Sequence, residues 1–158
     1  MLVVFGTDHA GFELKEILKE YVSGLGFDIE DKGAFSYIEN DDYPDFVAPV
    51  AREVSKDPYF VRGVVLGGSG QGEAMVANRS PNVRAAVFIK PASIEGGEGA
   101  DDVIRLSREH NDSNVLSLGA KFLTEEEAKG AVKKWLETPF SGEERHKRRI
   151  RKIDESLN

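Results

Sequence analysis

The chain has no cysteine. A disulfide framework and a thiolate nucleophile are therefore both excluded. Histidine is scarce, with three residues among 158. None stands in an HExxH or similar ligand spacing, which argues against a zinc site. No apolar run approaches the ~18 residues that a membrane span needs. The N-terminal MLVVFG is short, lacks a basic region and runs straight into the polar TDH, unlike a secretory signal. The expectation is a cytoplasmic protein that makes no membrane contact. Net positive charge is lacking too. A formal charge of −7 argues against nucleic acid as the main partner. The local exception is RHKRRIRK at 145–152.

What is present suits one domain spanning 1–158 with a real core, at 40% hydrophobic and 31% charged residues. Short apolar runs alternate with helical patterns. Residues 2–5, 27–32, 62–66, 83–89 and 115–118 read as strands. Leu14, Ile17, Leu18, Tyr21, Val22 and Leu25 recur on one helical face, closed by Gly26. Residues 45–56 read as a second helix, with Pro44 suited to its first turn and Pro49 expected to kink it or delay its start. A short helix is expected over about 72–78. Two capping boxes, Thr124 with Glu127 and Ser141 with Glu144, open two final helices. The first of these should bury Ala128, Ala131, Val132, Trp135 and Leu136. The second offers only Ile150, Ile153 and Leu157 as an apolar stripe, so it is expected to lie on a partner subunit. The stretch EGGEG at 95–99 reads as a surface excursion.

Strands separated by helices imply an α/β fold, a doubly wound, Rossmann-like parallel sheet of five strands. The common order 2-1-3-4-5 has its switch point between strands 1 and 3, where ligands bind beyond the carboxyl ends. Thr7, Asp8 and His9 follow strand 1; GGSGQGE (67–73) follows strand 3. The topology thus brings the two most polar clusters together.

The glycine loop lets backbone N–H groups approach an anion, and a helix start follows it. It lacks the Lys-Ser/Thr of a Walker A loop, and its GxGxG spacing differs from GxGxxG. It reads either as a tight strand-to-helix turn or as a cradle for a phosphate or enediolate oxygen. Glu73 reads either as a carboxylate complementing the helix dipole or as a general base beside that cradle. His9 lies at the switch point. His110 lies in REHND, ahead of the fifth strand, and alone is ambiguous. Arg145 and Arg149 share one helical face, as a solvated charged surface or as guanidinium forks for phosphate.

Together these stretches resemble the ribose-5-phosphate isomerase type B family, which includes galactose-6-phosphate and allose-phosphate isomerases. The resemblance is carried by GTDHAGFELKEILKEYV (6–22), DYPDF (42–46), GGSGQGEAMVANR (67–79), VRAAV (83–87), SREHNDSNVLSLGAK (107–121) and RHKRRIRKI (145–153), in collinear order. It implies a homodimer, or a tetramer, with active sites at the interface, and enediol chemistry without metal or cofactor. Asp8 and His110 match ring-opening positions. His9, Arg145 and Arg149 match the phosphate set, the two arginines reaching across the dimer. Gly68, Ser69, Gly70 and Gly72 match the loop whose amides stabilise the enediolate, with Ser69 where Thr or Ser is usual. Tyr43, Asn78 and Asn111 match polar positions of the same site.

Three departures stand out. Many members have a catalytic Cys where this chain has Gly67; a second branch places Glu after the loop, and Glu73 fits that branch. Lys121 replaces a phosphate-binding Arg, keeping the charge but losing the fork. Residues 90–103 are several residues longer than usual. The implied activity is interconversion of ribose 5-phosphate and ribulose 5-phosphate, with Glu73 moving the proton. The alternatives are a six-carbon sugar phosphate isomerase and a non-catalytic sugar-phosphate sensor on the same scaffold.

Overall fold

A computed structural model describes residues 1–90 and 100–155. The long 90–103 segment, the EGGEG excursion within it and Leu157 fall largely or wholly outside the described residues. Strands β1 (Leu2–Thr7), β2 (Asp28–Asp31), β3 (Val61–Gly67), β4 (Ala85–Phe88) and β5 (Val115–Gly119) pair in parallel throughout. Helices α1 (Phe12–Gly24), α2 (Pro44–Lys56), α3 (Gln71–Ala77), α4 (Ala100–Asn111), α5 (Glu125–Glu137) and α6 (Glu144–Glu155) connect and cover them.

The period-2 alternation of strand side chains sorts the core into two layers. Val3 and Phe5 of β1, Val64 and Leu66 of β3, and Leu116 and Leu118 of β5 face one side. There they meet Leu18 and Val22 of α1, Ile104 of α4, and Ala128, Ala131, Val132 and Trp135 of α5. Val4, Val65 and Val115 face the other side, against Val47, Val50, Ala51 and Val54 of α2 and Ala77 of α3. Leu136 is only partly buried at the margin of the first layer. The indole N–H of Trp135 donates to Ser113 Oγ at 2.8 Å, so its burial leaves no polar group stranded.

The sheet order is β2-β1-β3-β5-β4. The parallel, doubly wound sheet and its switch point between β1 and β3 are as the sequence implies. The last two strands are exchanged relative to the expected 2-1-3-4-5. β5 is buried along its whole length, whereas β4 is mostly half-buried. The drier strand takes the inner slot, as parallel strands covered on both faces require. Its polar interruption, Ser117, is fully buried, and its hydroxyl donates to the Gly70 carbonyl at 2.6 Å. β4 becomes the edge, and the Asn78 side chain pairs with it like a strand. The Ala85 N–H donates to Asn78 Oδ1 at 2.7 Å, and Asn78 Nδ2 donates to the Ala85 carbonyl at 3.1 Å.

Other local expectations divide. The Thr124–Glu127 box forms in full. The Ser141–Glu144 box does not. α6 starts at Glu144, and Ser141 Oγ instead meets His146 Nδ1 at 2.7 Å and accepts from the Glu143 N–H. α2 starts at Pro44 and runs through Pro49, so its start is not delayed.

One buried cation anchors the chain below the site. Lys15 is fully buried, and its ammonium donates to both Asp31 oxygens at 2.9 and 2.7 Å and to the Ala34 carbonyl at 2.7 Å. This ties α1 to the segment that clasps the end of β1, where Thr7 N–H meets Gly33 O and Ala34 N–H meets Thr7 O. Breaking a buried pair by removing one partner costs about 3–5 kcal/mol. Lys15→Met should lower the unfolding free energy in urea by about 3 kcal/mol, the lower end, because Lys19 still meets Asp31 at 2.5 Å. A change within about 0.5 kcal/mol would show that the pair is not an anchor.

Candidate active site

The carboxyl ends of β1 and β3 lie side by side, Thr7 in register with Leu66. The Thr7 hydroxyl donates to the Leu66 carbonyl at 3.0 Å and locks the two ends together. Asp8 then caps a 3-10 turn (His9–Gly11), its Oδ1 accepting from the Ala10 N–H at 2.9 Å. On the β3 side, Gly70 has φ +75°, a left-handed conformation that turns the chain into α3. Three residues later, in the first turn of α3, the Glu73 carboxylate folds back over Gly67 at the end of β3. A Cβ at Gly67 would lie 1.8 Å from Glu73 Oε1 and 2.1 Å from Cδ. The carboxylate therefore occupies the space that any side chain at position 67 would need.

Glu73 is only 4% exposed. Burial raises its pKa above the ordinary glutamate value, opposed by its own backbone N–H and reinforced by the negative charge of Asp8. Asp8 is buried too. Burial raises its pKa, the Ala10 N–H and His9 oppose the rise, and Asp41 adds to it. Two carboxyl groups thus share the switch point, each favouring its protonated form more than in water.

Around them the loop is flanked on both sides. The Tyr43 hydroxyl lies where a Cβ on Gly72 would be met at 2.7 Å. The Lys121 side chain runs along Gly68, with Cε 3.4 Å and Nζ 3.7 Å from the corresponding point, and the Lys121 N–H donates to the Gly68 carbonyl. Ser69 is exposed at the loop apex. His9 lies beside Asp41, which accepts from its backbone N–H at 2.8 Å and meets its Nδ1 at 2.7 Å. Asp8, His9 and Asp41 offer three ligand atoms within 4.8 Å of one another. A cation there would have to displace the bond between His9 and Asp41. Asp41 was not singled out from the sequence. It precedes DYPDF in a polar loop, and its partner is 32 residues away, so no local pattern marks it.

The remaining expected residues form a second cluster. His110 and Asn111 end α4, just ahead of β5, and therefore lie at the opposite end of the sheet from the glycine loop. The five residues of β5 alone span about 16 Å. The His110 and His146 rings stack at 4.4 Å. Burial lowers the pKa of His146, and the neighbouring His110 adds to the effect, so His146 favours its neutral form. Arg145 and Arg149 are exposed on α6, and Arg145 pairs with Glu143 at 2.7 Å. Asn78 and Asn111 line a recess together with Arg84 and Ser107. Among the described residues, no hydrogen bond, ion pair or ring contact joins this cluster to Asp8, His9 or Glu73.

A buried carboxylate beside a loop of backbone donors can take a proton from carbon while the loop receives the resulting negative oxygen. The fold and the first cluster thus define an α/β enzyme with a candidate site at the sheet's switch point. The chain belongs to the ribose/galactose isomerase family, whose model matches residues 3–153. It is 40% identical over 150 residues to ribose-5-phosphate isomerase B of Mycolicibacterium paratuberculosis, covering 95% of this chain and 87% of the relative. The Escherichia coli ribose-5-phosphate isomerase B is 34% identical over 151 residues, covering 96% and 93%. The structure is similar to that of ribose-5-phosphate isomerase B from Mycoplasma genitalium with bound ribulose 5-phosphate. Their TM-score is 0.89 at 34% identity, with 98% of this chain and 95% of that one covered.

The acid–base balance of the site has a kinetic consequence. A general base at Glu73 would have to be ionised, and with its pKa raised a falling pH would protonate it earlier than an ordinary glutamate. The acidic limb of kcat/KM is expected above pH 4.5, the ordinary glutamate value. A profile flat down to that pH would contradict the assignment.

Proposed function

We propose that this chain, as one domain, interconverts ribose 5-phosphate and ribulose 5-phosphate through an enediolate. The observation that carries this is the Glu73 carboxylate, buried against Gly67 at the base of the glycine loop. Asp8, with His110 supplied by a partner subunit, opens the sugar ring. Glu73 then removes the proton from C2 of the open aldose, and the electron pair moves to the carbonyl oxygen at C1. Backbone N–H groups of Gly68, Ser69, Gly70 and Gly72 face that oxygen. Glu73 returns the proton to C1, and the C2 hydroxyl passes its own proton to the C1 oxygen as the ketone forms. Two hydrogens move within one molecule, so the scheme balances without a cofactor, and none, nor any metal, is part of the proposal. His9 and Lys121 hold the phosphate from one side. Tyr43, with Asn78 and Asn111 supplied like His110 by the partner subunit, completes the polar wall.

The active site is shared between two copies. The separation of the two clusters along the sheet supports this, because one chain cannot fold His110, Arg145 and Arg149 onto its own glycine loop. In a two-fold dimer, α6 of each subunit would bring both arginines to the partner's phosphate. A chain free of cysteine fits a cytoplasmic location. Two inactive variants, Glu73→Gln and His110→Ala, should complement each other when mixed after mild dissociation. Half of the dimers would be mixed, each with one intact site, giving about a quarter of wild-type activity. A mixture no more active than its components would refute the shared site. Initial rates with pentose and hexose phosphates in the presence of a chelator test the substrate and the metal-free scheme together.

A further inference from the structure

We propose that Asp41 is a positioning residue for His9. Its carboxylate holds the imidazole with the hydrogen on Nδ1 and leaves Nε2 to meet the phosphate of the substrate. The role of the phosphate rests on the function proposed above; the Asp41–His9 pairing does not.

An ionised carboxylate only accepts hydrogen bonds, so a 2.7 Å contact between Asp41 Oδ1 and His9 Nδ1 places the hydrogen on the ring nitrogen. The same oxygen accepts from the His9 backbone N–H at 2.8 Å, fixing the ring relative to its own main chain. The edge of Tyr37 closes on the ring at a centroid distance of 6.2 Å. The Asp41 side chain is 9% exposed, against 30% for His9, so the carboxylate lies behind the ring and the ring faces the site. Asp41 Oδ2 is buried and, among the described residues, has no hydrogen-bond partner. No lysine or arginine among the described residues pairs with Asp41. Its charge therefore acts on His9, and with the carboxylate behind Nδ1 the imidazolium form of the ring offers its Nε2–H to a phosphate.

Two variants separate charge from shape. Asp41→Asn keeps the size and one acceptor oxygen; Asp41→Ala removes both. Losing a hydrogen bond to a charged group corresponds to roughly ten- to hundredfold in affinity. Asp41→Ala should raise KM for ribose 5-phosphate, and the inhibition constant of inorganic phosphate, by about tenfold or more. Its kcat should fall by less than about threefold, and Asp41→Asn should shift the same constants in the same direction by less. In ¹⁵N spectra, with the His9 signal assigned by its loss in His9→Gln, wild-type Nδ1 should carry the hydrogen and Asp41→Ala should move it to Nε2. A wild-type His9 protonated on Nε2 would overturn the proposal. So would KM and phosphate inhibition both within twofold in Asp41→Ala, or a loss confined to kcat. If the wild type did not turn over ribose 5-phosphate, the proposed function would fail. The ¹⁵N spectra and phosphate binding by direct titration would still decide the role of Asp41.

Discussion

Glu73→Gln is expected to lower kcat by about 10²–10⁴-fold, the usual contribution of a general base, while KM changes little. Glutamine fills the same space against Gly67 but cannot accept a proton from carbon. The same substitution is expected to stabilise the fold at neutral pH. Burial raises the Glu73 pKa in the folded state, so the folded chain binds that proton more tightly than the unfolded one. The resulting stability is complete below the unfolded pKa and is lost as pH rises through the folded value. To act as a base the buried carboxylate has to be ionised, at a desolvation cost that glutamine does not carry, and the comparison is made at pH 7.5. Urea denaturation of both proteins at that pH, alongside their turnover, measures the two effects together. Turnover within threefold of wild type in a folded variant would remove Glu73 from the mechanism.

Gly67→Ala is the second large effect. The added methyl carbon would sit 1.8 Å from Glu73 Oε1, so the carboxylate has to leave its place. A displacement on the order of 1 Å can cost about 10²-fold in rate. The expected kcat loss is therefore about 10²-fold, with the chain still folded, because the carboxylate can swing toward the open loop. Position 67 and Glu73 then act as one unit. The double variant Gly67→Ala/Glu73→Gln should be no slower than Glu73→Gln alone. Multiplying losses would show that Gly67 acts through something other than the carboxylate. The same geometry gives a physical reason for the two patterns in the family resemblance, Cys at this position or Glu after the loop. A side chain at 67 and the Glu73 carboxylate compete for one volume.

The sequence carried the convergence of Asp8 and Glu73 because the switch-point rule needs only the alternation of strands and helices. The neighbour relation of β4 and β5 was not legible. VLSL looks short and is interrupted by a serine, and only the structure shows Ser117 satisfied by the Gly70 carbonyl. Helix α4 was missed because it follows a glycine-rich polar stretch and, within the described residues, sends only Ile104 fully into the core. The cap at Ser141 failed because a competing partner, His146 five residues on, claims the hydroxyl. Asp41 and Lys15 were invisible for a common reason: each acts through a side-chain contact between separate segments, which leaves no periodic trace.

The most direct test follows [1-¹³C]ribose 5-phosphate by NMR with a catalytic amount of the wild-type protein. The labelled signal should move from the anomeric region to the hydroxymethyl region of ribulose 5-phosphate, and the Glu73→Gln variant should leave it in place on the same timescale. A label that stays anomeric with the wild type, or moves equally fast with Glu73→Gln, would contradict proton transfer by Glu73 on a five-carbon sugar phosphate.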